Sequence, residues 1–159
     1  MMNSDSPKIL IAGSAPPRSK PSNYPEPFAS KMAGRLKRPL GDPFGIKKFG
    51  INLTELLPNA ESALLHKHSK QEEFIYILAG HPTLILEDDE FLLSPGTCFG
   101  FTPSMSAHKL VNRSEETVLY LEIGDRIPDD QVTYPRDDIE AKQSPQGAWL
   151  FYHKNGEPY

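Results

Sequence analysis

The sequence predicts an all-β protein, an antiparallel sandwich or barrel behind an extended N-terminal arm, and three observations carry that expectation. Across residues 50–123 the chain runs in short stretches rich in Ile, Leu, Val, Phe and Tyr, separated by clusters of Gly, Pro, Asn or Asp, which is strand-and-turn punctuation. No stretch is a helix long enough to make a crossover between parallel strands, so successive strands should pair antiparallel. Eight of the sixteen prolines fall in the first 45 residues: Pro7, Pro16, Pro17, Pro21, Pro25, Pro27, Pro39 and Pro43. Each lacks a backbone donor and biases its predecessor towards extended geometry, so this region reads as an arm laid over a core.

In chain order, residues 1–40 form the arm, 41–125 the β-barrel, and 126–159 an extension packed on it. Within the arm only 28–37 could hold a helical turn or two, and Gly34 weakens it. Strands are expected at 48–56, 62–68, 73–79, 82–87, 90–93, 97–102, 108–112 and 117–123. Turns fall at Pro58-Asn59, Gly80-His81, Asp88-Asp89, Pro95-Gly96 and Asn112-Arg113-Ser114. Beyond Asp125 the chain is polar until an apolar patch at 148–152, and Asn155-Gly156 marks a last turn. The acidic stretches 87–90 and 125–140 read as surface loops.

At 159 residues one core is affordable and two are not. Seventeen Lys plus Arg against twenty-one Asp plus Glu leave a net charge of −4, which favours neither nucleic acid nor an anionic membrane as a partner. The single cysteine, Cys98, excludes an internal disulfide framework and cysteine-built zinc sites, and it reads as a small core residue. No run is apolar enough for a leader or a membrane span, so a cytoplasmic protein is expected.

The chemistry concentrates between Leu64 and Phe74. Side chains alternate along a strand, so His66 and His68 share one face with Ser62 and Leu64, while Leu65 and Lys67 take the other. The next strand presents Glu73, Ile75 and Ile77 together, and His108 begins a strand whose same-face residues are Leu110 and Asn112. Three imidazoles and one carboxylate suit a divalent first-row ion and would leave two positions of an octahedron for water, substrate or dioxygen.

The segment from His66 to Gly80 reads H-x-H-x(4)-E-x(6)-G, and Gly96 to Asn112 carries Pro103, His108 and Asn112 in the order of a second motif. These two motifs resemble those of the cupins. The resemblance implies a double-stranded β-helix, or jelly-roll, barrel. It further implies that His66, His68, Glu73 and His108 are the metal ligands, Gly80 a turn residue and Asn112 a structural position. The second motif departs twice: Met105 stands where glycine is usual, and the Gly96–Pro103 interval is one residue longer than the commonest form. The flanks, 49–54 and 153–159, are similar to single-domain bacterial cupins loosely labelled as sugar-phosphate isomerases.

Glu72 shares parity with Phe74 and Tyr76 and is expected in solvent, as are His81, Lys67 and Lys109; His153 sits in the tail. The inferred pocket lining is Ser62, Leu64, Ile75, Ile77 and Leu110, with Asn52, Thr54, Phe99 and Phe101 at the rim or walls. That pocket is mostly apolar, with no evident second inward carboxylate or tyrosine. Cations for an anionic ligand come from the arm, where Arg35, Lys37 and Arg38 belong to a run of eight basic residues opposed only by Glu26 and Asp42. The expected cofactor is one divalent ion (Zn, Fe, Mn or Ni). The expected ligand is a small oxygen-bearing molecule, with sugar-phosphate isomerisation ahead of a non-heme dioxygenase or a non-catalytic binding role. A homodimer is the expected assembly.

Overall fold

The computed structural model describes residues 9–159; Pro7 and the rest of residues 1–8, the start of the expected arm, lie outside the described residues. Twelve strands form among the described residues: β1 (Arg35–Pro39), β2 (Phe49–Leu56), β3 (Lys67–His68), β4 (Glu73–Ala79), β5 (Thr83–Leu86), β6 (Asp89–Leu92), β7 (Cys98–Phe101), β8 (His108–Val111), β9 (Val118–Asp125), β10 (Gln131–Thr133), β11 (Glu140–Gln143) and β12 (Trp149–Tyr152). They pair antiparallel in three sheets, ordered β1-β2-β9-β4-β7, β12-β11-β10-β3 and β6-β5-β8. The result is a jelly-roll barrel. No helix among the described residues is long and apolar enough to cross a membrane.

The barrel floor is apolar because alternate residues of several strands meet there. Leu56, Ile75, Ile77, Leu84, Phe101, Leu110, Val118 and Tyr120 form one buried cluster that joins the five-stranded and three-stranded sheets. A second cluster lies at the other sheet, where Leu64, Val132, Tyr134, Ile139 and Ala141 pack against Phe28 and Met32 of the N-terminal segment. That segment therefore packs on its own barrel through buried side chains, and Arg38 Nη1 donates to the Ala15 carbonyl at 2.7 Å.

Several elements differ from the sequence expectation. Residues 28–37 hold a single short 3-10 turn (Ser30–Met32) and then β1, because Gly34 takes φ +81 and its carbonyl accepts the Leu57 N–H at 2.9 Å, which sets β1 against the end of β2. The expected strand 62–68 is reduced to β3, preceded by isolated bridges at Glu61 and His66. The Ser62 hydroxyl accepts the Leu110 N–H at 2.8 Å, displacing a ladder bond, as short polar side chains do when they compete with a sheet. Strand β10 arises inside the acidic stretch read as a surface loop, and β11 begins at its last residue, Glu140. Cys98 is exposed on β7, whose inward positions are taken by Phe99 and Phe101. Met105 causes no strain: Pro103-Ser104 turns with the Met105 N–H on the Thr102 carbonyl at 3.0 Å, and no left-handed residue is needed there. Gly80 is needed, since φ is +77 and a Cβ would lie 2.9 Å from the Thr117 carbonyl oxygen.

Asn112 ties the barrel's end together. It is fully buried; its Nδ2 donates to the carbonyls of Leu56 (2.8 Å) and Glu116 (2.7 Å), while its Oδ1 accepts from the Ser114 N–H and hydroxyl. Asn112→Ala strands two carbonyls, each worth roughly 1–3 kcal/mol when unsatisfied. Urea unfolding should therefore show a loss of about 2–4 kcal/mol.

Candidate metal centre and polar cavity

His66, His68, Glu73 and His108 come from β3 and its approach, the start of β4 and the start of β8, and they converge on one carboxylate oxygen. Glu73 Oε2 lies 3.5 Å from His66 Nε2, 3.6 Å from His68 Nε2 and 2.9 Å from His108 Nε2. Backbone pairing makes this possible: His66 and His108 exchange N–H and carbonyl bonds (3.2 and 2.8 Å), which brings their rings to 4.5 Å between centroids. Phe101 stacks on His108 at 3.6 Å and 8°.

The outer ring nitrogens of His66 and His68 each face an acceptor. His66 Nδ1 donates to the Leu64 carbonyl at 2.9 Å, and His68 Nδ1 donates to Asp130 Oδ2 at 2.5 Å. With the proton on Nδ1, each neutral ring turns an Nε2 lone pair towards a carboxylate oxygen, an arrangement that repels unless a proton or a cation lies between. Burial disfavours the His66 imidazolium, but the hydrogen bond and charge of Glu73 outweigh it and hold His66 above its ordinary value. Burial likewise pushes Glu73 up, yet hydrogen bonds from His108 and His66 and the charges of the histidines bring it well below the usual carboxylate range. For His108 burial prevails and the shift is downward. The site is thus made for positive charge, and its donor set, imidazole nitrogens plus carboxylate with oriented partners behind them, fits a first-row divalent ion.

Asp130 is the partner that sequence reasoning missed. It was assigned to a surface loop, but it is 1% exposed, and its carboxylate also accepts from the Ser69 hydroxyl and the Lys70 and Gln71 N–H groups. Pairing of β10 with β3 sets Val132 across from His68 and so carries Asp130 to the imidazole. Sequence alone holds no signal for that pairing.

The cluster opens into a cavity of about 710 Å³. Ser62, Ile75 and Leu110 line it as expected, with Asn52 and Phe101 on its walls. Leu64 and Ile77 do not: Leu64 turns into the second core cluster because residues 61–66 are not a regular strand, and Ile77 lies on the floor, one repeat below Ile75. Thr54 is buried and Phe99 packs on the floor cluster. Of the three arm cations, Arg35 and Lys37 reach the cavity, whereas Arg38 alternates to the other face of β1 and pairs with Glu55 at 3.3 Å. Arg18 adds a cation at the rim. Glu72 and His81 are exposed, and His153 bonds to Asp138 outside the cavity.

The cavity is also more polar than expected. Glu122, Tyr120, Tyr24 and Tyr134 face it; Lys37 Nζ donates to Glu122 Oε1 at 2.6 Å, and the Tyr120 hydroxyl donates to Oε2 at 3.2 Å. Burial lowers the Lys37 ammonium, while for Glu122 the charge of Lys37 outweighs burial and the net shift is down. Apolar content along β9 does not mark the inward face, because the outward set Leu119, Leu121 and Ile123 is the more apolar one. The cue that could have found Glu122 is its place beside Asn52 and Ile75 in the β2-β9-β4 register.

A jelly-roll barrel carrying three histidines and a glutamate on one point defines the class, and comparison with known proteins agrees. Residues 52–124 match the cupin domain family. The structure superposes with a TM-score of 0.87 on a sugar phosphate isomerase from a cupin superfamily of Silicibacter pomeroyi, 34% identical, over 95% of this chain and 96% of that one. A candidate sugar phosphate isomerase of Acidithiobacillus ferrooxidans gives a TM-score of 0.71 at 33% identity, over 79% and 80% of the two chains. The uncharacterized protein MJ1618 of Methanocaldococcus jannaschii is 32% identical over 88 residues, 55% of this chain and 69% of its own length. The chain belongs to the cupin superfamily.

Asp130 ties the pH response of the fold to this site. Desolvation raises its carboxyl, but the hydrogen bond and charge of His68 outweigh that and lower it. A depressed carboxylate contributes stability above the unfolded value, about 3.9, and loses it as pH falls through the native value. With a chelator present, Asp130→Asn should melt several degrees below wild type at pH 7. The gap should close at pH values below the native one, as followed by circular dichroism.

Proposed function

We propose that this cupin is a metal-dependent enzyme that binds a small sugar phosphate and interconverts its aldose and ketose forms. The observation that supports this reading most is the junction, in one cavity, of three histidines gathered around Glu73 with a separate carboxylate, Glu122, and with cations at the rim. His66, His68, Glu73 and His108 would hold one divalent ion, zinc, iron, manganese or nickel. The ion would supply Lewis acidity towards a carbonyl or hydroxyl oxygen of the ligand.

The chain's own residues divide the remaining work. Arg18, exposed at the rim, can reach a phosphate, and Arg35 adds positive charge beside it. Arg35 is partly committed already, since Nη1 and Nη2 donate to the carbonyls of Ser62 and Pro21, while its buried Nε has no partner. Asn52, Ser62 and Tyr24 offer hydrogen bonds to hydroxyl groups, and Ile75 and Leu110 pack against the carbon skeleton. The likeness to the two isomerase-named proteins points the same way.

Two measurements check the reading. Protein purified without chelator should carry about one first-row metal per chain by mass spectrometry, and His66→Ala/His68→Ala should lose it while keeping a β-dominated circular dichroism spectrum; full retention in the double variant would refute the ligand set. Calorimetry should show sugar phosphates binding at least tenfold more tightly than their unphosphorylated forms, a difference of about 1.4 kcal/mol. Arg18→Gln should erase most of that preference, and equal affinity for both forms would favour a non-phosphorylated ligand and a binding or oxygenase role.

A further inference from the structure

Glu122 stands apart from the four converging donors. It sits on β9 directly beside Ile75 on β4, and therefore diagonal to Glu73, whose own partner on β9 is Gly124. Diagonal neighbours in an antiparallel pair lie roughly 7–8 Å apart, within the length of a small sugar phosphate. A ligand of that length held by those donors can reach the Glu122 carboxylate, which lines the same cavity.

The carboxylate is prepared rather than merely tolerated. Removing an ion pair from water costs more than a hydrophobic wall would, and this pair lies just above the apolar floor of Leu56 and Val118, with Lys37 level with Thr54, Tyr120 and Ile77. Each carboxylate oxygen can accept twice. Lys37 takes one position on Oε1 and Tyr120 one on Oε2, which leaves acceptor capacity for a ligand on a side chain that is still 20% exposed to the cavity. Lys37 itself comes from β1, across Thr54 on β2, so three strands are needed to assemble the pair.

We propose that Glu122 is the catalytic base and acid of the isomerisation, with Lys37 as its positioning residue; this rests on the reading of the cavity as a sugar-phosphate site. Glu122 takes the proton from the carbon next to the carbonyl. The C–H electron pair becomes the C=C bond of an enediolate, and the carbonyl π pair moves onto oxygen. The neighbouring hydroxyl proton passes to that oxygen, Glu122 returns its proton to the former carbonyl carbon, and the new carbonyl forms one carbon along. Atoms and electrons balance with no oxidant or reductant.

The test follows carbon-bound hydrogen exchange in D₂O by NMR with metal-replete protein and a panel of aldoses, ketoses and hydroxy ketones, each with and without phosphate. Wild type is compared with Glu122→Gln and with Glu122→Gln/Lys37→Met, which leaves no unpaired buried ammonium. Metal content and affinity for a polyol phosphate, which has no acidic carbon, are measured on the same samples. Glu122→Gln or the double variant should keep its metal and bind the polyol phosphate within about threefold of wild type, while exchange falls at least 100-fold, the scale of a lost general base. Lys37→Met should lower kcat with KM unchanged, and Lys37→Arg should recover part of it. A smaller fall in exchange, or loss of metal or polyol affinity in both Glu122 variants, overturns the assignment of Glu122. Exchange confined to unphosphorylated compounds and abolished in the variants upholds Glu122 and overturns the sugar-phosphate reading instead. No exchange by wild type on any compound overturns both.

Discussion

Two imidazole Nε2 atoms and a carboxylate oxygen meet here at a distance that is stable only with a proton or a cation between them. His66 and His68 each donate a hydrogen bond from Nδ1, to the Leu64 carbonyl and to Asp130, and each Nε2 faces Glu73 Oε2 at 3.5–3.6 Å. Positive charge must sit among these atoms, as protons on the rings or as a metal ion held by them. Much of the surrounding structure serves that convergence. The bridge between His66 and His108 places two rings, the Phe101 stack holds one of them, and β10 delivers Asp130 behind the third.

The five-stranded sheet then grades from charge to hydrocarbon along its inner face. Near the mouth stand Glu73, Gly124 and Phe101; one repeat down come Ile75, Glu122 and Asn52, then Ile77, Tyr120, Thr54 and Lys37; the floor is Leu56 and Val118. Glu73 stands nearest the mouth, Lys37 is held in the third layer by its ion pair with Glu122, and the hydrophobic gain is taken at the floor. Removing either member of the Lys37–Glu122 pair leaves a charge without its partner in a partly buried layer, so the two residues act as one unit.

The barrel was legible because its cues are local. Gly80 with its positive φ, the turns at Asp88-Asp89 and Asn112-Arg113-Ser114, and the short apolar runs of β2, β4 and β5 each declare themselves within a few residues. The short strands β1, β10 and β11 do not, since β1 follows a proline-rich stretch and β10 and β11 lie in polar sequence, and their strand state comes from the neighbours they pair with. Apolar content is also no guide along β9, whose outer face is the more apolar one: Leu119, Leu121 and Ile123 look like the core, yet Tyr120 and Glu122 face inward. The rule that apolar residues lie inside runs one way only.

Spacing and side-chain alternation in the sequence alone determined that His66, His68 and Glu73 could meet, because a strand's two-residue period and a short connection limit where those side chains can go, while the resemblance of the second motif added His108. Tertiary structure decided everything that sets the site's electrostatics: Asp130 behind His68, the Lys37–Glu122 pair, and the turning away of Arg38 and Leu64. Those relations join residues as far apart as 37 and 122, or 68 and 130. Such contacts depend on strand order and register across the whole barrel, which no local pattern of residues encodes.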